Sequence, residues 1–192
     1  MEYLVQVEQV ESQMTAVVRR RADLIELTRV VPQACGEVWA FIRSSHLPHP
    51  GRNLALYLDD EINLEVGVEV FQPFDGAEQV ICSRTPDGTV ATTVHMGPYH
   101  RLPAAHSAIR KWCAEQGFSL AGPNWEVYGH WDDDPAKLRT DVYYLLPFDV
   151  ETARKDDDLV NDLIEHNPAV RSIVQKSSGC PRESFSLASS EE

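Results

Sequence analysis

Glu126 and Tyr128 stand one residue apart in Asn124-Trp125-Glu126-Val127-Tyr128, a run whose aromatic and β-branched content reads as a strand. Alternate side chains of a strand share a face, so this carboxylate and this phenol project together. Trp125 and Val127 project the other way, toward expected helix packing. A carboxylate among aromatic rings is desolvated, and either its pKa rises or it takes a cationic partner. Such a group suits the polar anchor of a pocket.

Other reactive constellations are weaker. Four of the seven histidines (His95, His100, His106 and His130) fall in the second half, but no pair has a ligand spacing such as H-E-x-x-H. His46 and His49 lie in a Pro/Gly loop and read as solvated. The acidic runs Asp132–Asp134 and Asp156–Asp158 lack the alternating ligands and glycine of a calcium loop. No metal and no cofactor is expected. Motifs for a nucleophile elbow, a phosphate loop or a dinucleotide fold are missing too. The four cysteines are scattered, and Cys35 and Cys113 sit on apolar helix sides, as free thiols in a reducing cytosol would.

A formal charge of −13 excludes a nucleic-acid partner held by clustered lysines and arginines. The one basic run, Arg19-Arg20-Arg21, reads as a solvated strand end beside Asp23 and Glu26. No apolar run approaches the ~18–20 residues of a membrane span, and Met1-Glu2-Tyr3-Leu4-Val5 has no signal-peptide pattern. The expectation is a cytoplasmic protein without membrane contact.

The elements that position Glu126 repeat. Pro-Phe-Asp occurs at Pro73–Asp75 and again at Pro147–Asp149, 74 positions on, and Trp39 and Trp112 are 73 apart. Asn53-Leu54-Ala55-Leu56-Tyr57 aligns with Asn124–Tyr128 at an offset of 71. Strands are predicted over 5–10, 14–20, 54–58, 64–71, 79–84, 90–96, 125–130 and 140–146, with helices over 31–43 and 101–116. Each unit is then strand–helix–strand–strand, and two of them make an α+β antiparallel sheet with both helices on one side. The units span about 14–75 and 88–149 within a domain of residues 1–150. Residues 151–192 read as a charged extension, helical in part to 175 and then mobile. Repeated units normally pair to bury a face that neither buries alone. Where the copies differ, Ala55 becomes Glu126, so the second half carries a carboxylate that the first lacks.

The sequence His95-Met96-Gly97-Pro98-Tyr99, a helix ending at Gly117, then Gly122-Pro123-Asn124-Trp125-Glu126-Val127-Tyr128 and a closing Pro147 resembles the GyrI-like small-molecule-binding domain. That domain also serves as the effector-binding part of AraC-type and MerR-type regulators. The resemblance spans about Met14 to Phe148. It implies a groove on the pseudo-two-fold between the halves, lined by aromatics around one carboxylate, which Glu126 matches; Tyr99 matches the Gly-Pro-Tyr aromatic. Tyr128, Trp39 and Tyr57 are further candidates to line the groove, and Tyr143 or Tyr144 joins them according to register. Implied partners are hydrophobic aromatic molecules, often cationic, taken up as by a sensor, sponge or detoxifying multidrug binder. Some GyrI-like proteins instead hydrolyse the cyclopropane of DNA-alkylating natural products. In that chemistry Glu126 would handle water, while Tyr99 would donate to the oxygen that gains charge. Gyrase-inhibiting relatives add a protein-interaction alternative, for which no element here specifies a partner.

Overall fold

The computed structural model describes residues 2–147 apart from His49 and Glu78; the expected helical stretch over 151–175 and the tail beyond it lie outside the described residues. Eight strands form one antiparallel sheet: β1 (Gln6–Val10), β2 (Met14–Arg21), β3 (Asn53–Tyr57), β4 (Asn63–Glu69), β5 (Ile81–Arg84), β6 (Gly88–Met96), β7 (Asn124–Tyr128) and β8 (Arg139–Leu145). Two helices, α1 (Leu27–Ser45) and α2 (Pro103–Gln116), complete the expected α+β arrangement. Across the sheet the order is β1-β6-β8-β7-β3-β4-β2-β5. This order reads the same from either end once each element is exchanged for its copy.

The edge strands make the exchange reciprocal. β1, which leads into the first half, pairs with β6 of the second, and β5, which leads into the second, pairs with β2 of the first. The two lead-ins cross at Thr85: its backbone N–H donates to the Gln13 carbonyl at 2.9 Å, and its hydroxyl accepts from the Gln13 N–H at 2.9 Å. Ser12 Oγ donates to the Thr85 carbonyl at 2.7 Å. Each half therefore borrows its outer strand from the lead-in of the other.

α1 packs over β2 and β4, while α2 packs over β6 and β8, so the central pair β3–β7 lies between the helices. Periodicity explains the faces. Ala34, Val38 and Ile42 of α1 meet Ala16, Val18, Ala55, Val66 and Val68 in one core cluster. Ala105, Ile109 and Cys113 of α2 meet Ala91, Val142 and Tyr144 in a second. Burying an aliphatic side chain contributes about 1.5–3 kcal/mol, and these i, i+4 stripes each bury three residues per helix. Tyr128 packs against both clusters.

Several expectations need correction. α1 begins four residues before the predicted start, and Pro32 lies inside it, where it forgoes the helical bond to Thr28. Glu26 makes no side-chain cap, so the sequence held no start signal there. Trp125 and Val127 do not face the helices; with Leu54, Leu56 and Val90 they form a third cluster on the opposite sheet face, where Trp125 stacks on Tyr143 at 5.2 Å. The arginine run is paired differently too: Arg19 with Glu65, Arg20 with Glu37 and Arg21 with Glu61, all brought near by tertiary contacts.

Trp39 and Trp112 are not equivalent. The buried stripes (34, 38, 42 and 105, 109, 113) and the aligned strands Asn53–Tyr57 and Asn124–Tyr128 share a single offset of 71, with no indel. Trp39 then matches Arg110, and the 73-residue spacing of the tryptophans is coincidental. Tyr57 does match Tyr128.

Candidate functional site

The β3–β7 pairing places Ala55 directly opposite Glu126, with Asn53 opposite Tyr128 and Tyr57 opposite Asn124. The ladder is symmetric about the Ala55–Glu126 pair, so the pseudo-two-fold passes between these two residues. Glu126 is 5% exposed and points to the side of the sheet that carries the helices. A carboxylate buried there is tolerable only if its oxygens are satisfied, since stranding a charge costs several kcal/mol.

Three donors satisfy it. Tyr128 Oη donates to Oε2 at 2.5 Å, while His106 Nε2 lies 2.7 Å from Oε1 and Tyr57 Oη donates weakly to Oε1 at 3.4 Å. Short hydrogen bonds to a charged acceptor contribute about 1.5–3 kcal/mol each, so the Tyr128 and His106 bonds carry most of what offsets the desolvation. A carboxylate can only accept, so Nε2 of His106 carries a proton. The other ring nitrogen, Nδ1, lies 2.9 Å from Tyr144 Oη, giving a chain Glu126–His106–Tyr144. Tyr57 and Tyr144 each meet the imidazole edge-on. Among the described residues no lysine or arginine pairs with Glu126.

The phenols respond to this setting. Burial, and then the charge on Glu126, push Tyr57 and Tyr128 well above the ordinary tyrosine value. Tyr144 rises to about 12, chiefly through burial; Arg110, whose guanidinium lies 5.8 Å above its ring centroid, opposes the rise. All three remain protonated donors at neutral pH. Burial likewise pushes the Cys35 thiol up to about 11, which leaves it a poor nucleophile.

The other predicted site residues divide. Tyr57 and Tyr128 meet at Glu126, and register selects Tyr144, not Tyr143, as the tyrosine of β8 on this face. Tyr99 sits in a one-turn 3-10 helix (Tyr99–Arg101), is 40% exposed and meets Tyr128 edge-on at 5.7 Å, so it reaches the carboxylate only through that ring. Trp39 packs against the first core cluster and donates from Nε1 to Asn53 Oδ1 at 2.7 Å. His106 is not among the residues that the sequence points to, because its spacing from the other histidines fits no metal site and gives no other signal. The signal lay in the duplication, because at an offset of 71 His106 stands where the first half has Cys35.

A surface recess of about 240 Å³ lies elsewhere, lined by Arg19, Arg20, Arg21, Leu58, Asn63 and Leu64. Its three arginines are each paired with a glutamate, which leaves no free cation for an anionic ligand. No helix among the described residues is long and apolar enough to cross a membrane.

Solved structures share this architecture. The C-terminal domain of EcmrR is 20% identical, with a TM-score of 0.63 over 76% of this chain and 98% of its own. SAV2435 bound to tetraphenylphosphonium is 11% identical, with a TM-score of 0.54 over 77% of this chain and 95% of its own. A hydrolase from Listeria innocua is also 11% identical, with a TM-score of 0.51 over 74% and 91%. At these identities the likeness is one of fold. No curated protein matches the sequence. The family profile described as a GyrI-like small molecule binding domain matches residues 4–146, so the chain belongs to the GyrI-like family.

Proposed function

We propose that the groove over β3 and β7 binds hydrophobic aromatic cations, with Glu126 as the charge anchor and Tyr57, Tyr128 and Tyr99 as the aromatic lining. One observation carries this reading: a nearly fully buried carboxylate on the pseudo-axis is held by phenols and an imidazole, without a lysine or arginine among the described residues. Its negative charge is thus solvated by dipoles and still uncompensated. A ligand that brings positive charge without N–H groups gains Coulomb attraction in a low-dielectric setting and leaves all three hydrogen bonds in place. The aromatic faces add cation–π attraction of about 0.5–2 kcal/mol. SAV2435, of the same fold, holds such a cation, tetraphenylphosphonium.

Glu126→Gln tests this. The amide keeps the shape and one acceptor, and His106 can turn its unprotonated nitrogen to the new NH₂ by changing tautomer. Calorimetric affinity for tetraphenylphosphonium should fall roughly 10- to 150-fold, or about 1.5–3 kcal/mol. Affinity for neutral triphenylphosphine oxide should barely change. Equal losses for both probes would remove the charge from the account.

A second reading is hydrolysis of a strained electrophile such as a cyclopropane. The specific observation in its favour is the unbroken Glu126–His106–Tyr144 chain, an arrangement through which a proton can move. In this reading Glu126 accepts a proton from the water that attacks the ring carbon, the strained C–C bond breaks, and a tyrosine such as Tyr99 donates to the substrate oxygen that gains charge as the ring opens. Incubation with a cyclopropane-bearing alkylator, followed by mass spectrometry, decides it: gain of one water marks turnover, whereas recovery of unchanged compound limits the protein to binding.

A further inference from the structure

We propose that His106 gates the charge of this site: neutral, it leaves Glu126 a net anion that admits lipophilic cations; protonated, it forms an internal ion pair with Glu126 that turns them away. The gate rests on reading the groove as a cation site. It follows from how both ring nitrogens are placed. In the neutral ring Nε2–H donates to Glu126 at 2.7 Å and Nδ1 accepts from the Tyr144 hydroxyl at 2.9 Å. In the protonated ring Nδ1–H donates instead, and the Tyr144 hydroxyl, which can both give and accept, rotates to receive it. Both charge states therefore keep a partner on each ring nitrogen without any backbone shift. A buried histidine whose second nitrogen met an obligatory donor could not switch in this way.

Charged and polar groups from several elements surround the ring. On its own helix Arg110 lies over the Tyr144 ring, and the ring occupies the first turn of α2, where the helix dipole disfavours positive charge. From β7, Glu126 favours positive charge, and Tyr128 shares that carboxylate. β3 presents Tyr57 and β8 presents Tyr144, both neutral donors near pH 7. Asp60, in the turn after β3, and Cys113 of α2 act on Tyr144. α1 presents Cys35, a protonated thiol. Groups of both signs thus stand around the ring. The first half cannot gate in this way, because its matching position is Cys35.

The test follows tetraphenylphosphonium affinity from pH 5.5 to 8.5 by calorimetry, alongside the ¹⁵N resonances of the His106 ring in the unliganded protein. Neutralising a charge in contact with Glu126 is worth about one pKa unit or more, so affinity should rise about tenfold or more across the range. His106→Gln, whose amide does not titrate, should show no such slope, whatever its absolute affinity. Triphenylphosphine oxide should show no slope with either protein. A slope that survives in His106→Gln assigns the effect to another group and overturns the gate. A ring that keeps one charge from pH 5.5 to 8.5 also overturns it, whether or not the cation binds and whether or not the variant folds. Absence of cation binding at every pH in the parent protein overturns instead the cation-site reading.

Discussion

The two halves of the sheet bury the same stripes and end their helices in the same way, yet one half carries Cys35 and Ala55 where the other carries His106 and Glu126. The difference sits on the pseudo-axis, and the axis explains it. Residues 55 and 126 are directly opposite in neighbouring strands, about 4.5–5.5 Å apart at Cβ. A perfectly symmetric duplication would place two carboxylates in contact inside a buried site. Two such groups cannot both ionise, and one would hold a proton. A single buried carboxylate on the axis therefore requires the halves to diverge at this pair. In the proposed site the alanine matters as much as the glutamate.

The sharpest way to break this comparison is to restore the symmetry. Ala55 is fully buried, and Ala55→Glu would set a second carboxylate against Glu126. At pH 8 we expect a loss of about 3–5 kcal/mol in urea unfolding, the cost of an unpaired buried charge. The sign of its pH dependence is fixed: the shared proton raises one carboxyl above its unfolded value, so stability is recovered as pH falls into the carboxylate range and lost as pH rises. A variant as stable as the parent at pH 8 would mean that the positions are not in contact.

The fold was legible because its signals are local and periodic. Alternation in Val90–Met96, the Pro-Asp-Gly turn before it and the i, i+4 stripe of α2 each predict an element that the structure contains, within about two residues. Glu126 was legible from the Ala55 mismatch. What escaped depends on contacts across the sheet. Nothing near His106 in sequence shows that Glu126, twenty residues on, and Tyr144, thirty-eight on, lie on its two sides. Trp39 and Trp112 misled because an identical residue type was aligned ahead of the buried stripe, whereas the stripe is what packing preserves.

A second comparison sets the two equivalent tyrosines against each other. Tyr128 bonds Glu126 at 2.5 Å and packs against both cores; Tyr57, its copy, reaches the same carboxylate at only 3.4 Å. Tyr128→Phe should cost about 1.5–3 kcal/mol by denaturant unfolding, as expected for a charge-assisted bond lost in a buried site. Tyr57→Phe should cost under about 1 kcal/mol, because a donor at that distance contributes little. Equal losses would mean that the carboxylate sits midway in solution and that the asymmetry stops at Ala55 and Glu126.

The smallest expected effect lies where the halves agree in backbone and differ in side chain. α1 and α2 both end in a left-handed residue, His46 (φ 53°) and Gly117 (φ 78°), again 71 apart. The next residue closes each cap by bonding back five positions: Leu47 N–H to the Ile42 carbonyl at 3.2 Å, and Phe118 N–H to the Cys113 carbonyl at 2.9 Å. Glycine adopts this conformation freely, while a residue with a Cβ pays roughly 1–2 kcal/mol. Glycine also loses more entropy on folding, which offsets part of that gain. His46→Gly should therefore stabilise by about 0.5–1 kcal/mol, raising the melting midpoint by about 1–4 °C in a protein of this size. Gly117→His should lower it by a similar amount. A lower midpoint for His46→Gly would show that the His46 ring supports the first half in a way the second does without, moving the divergence between the halves beyond the axis.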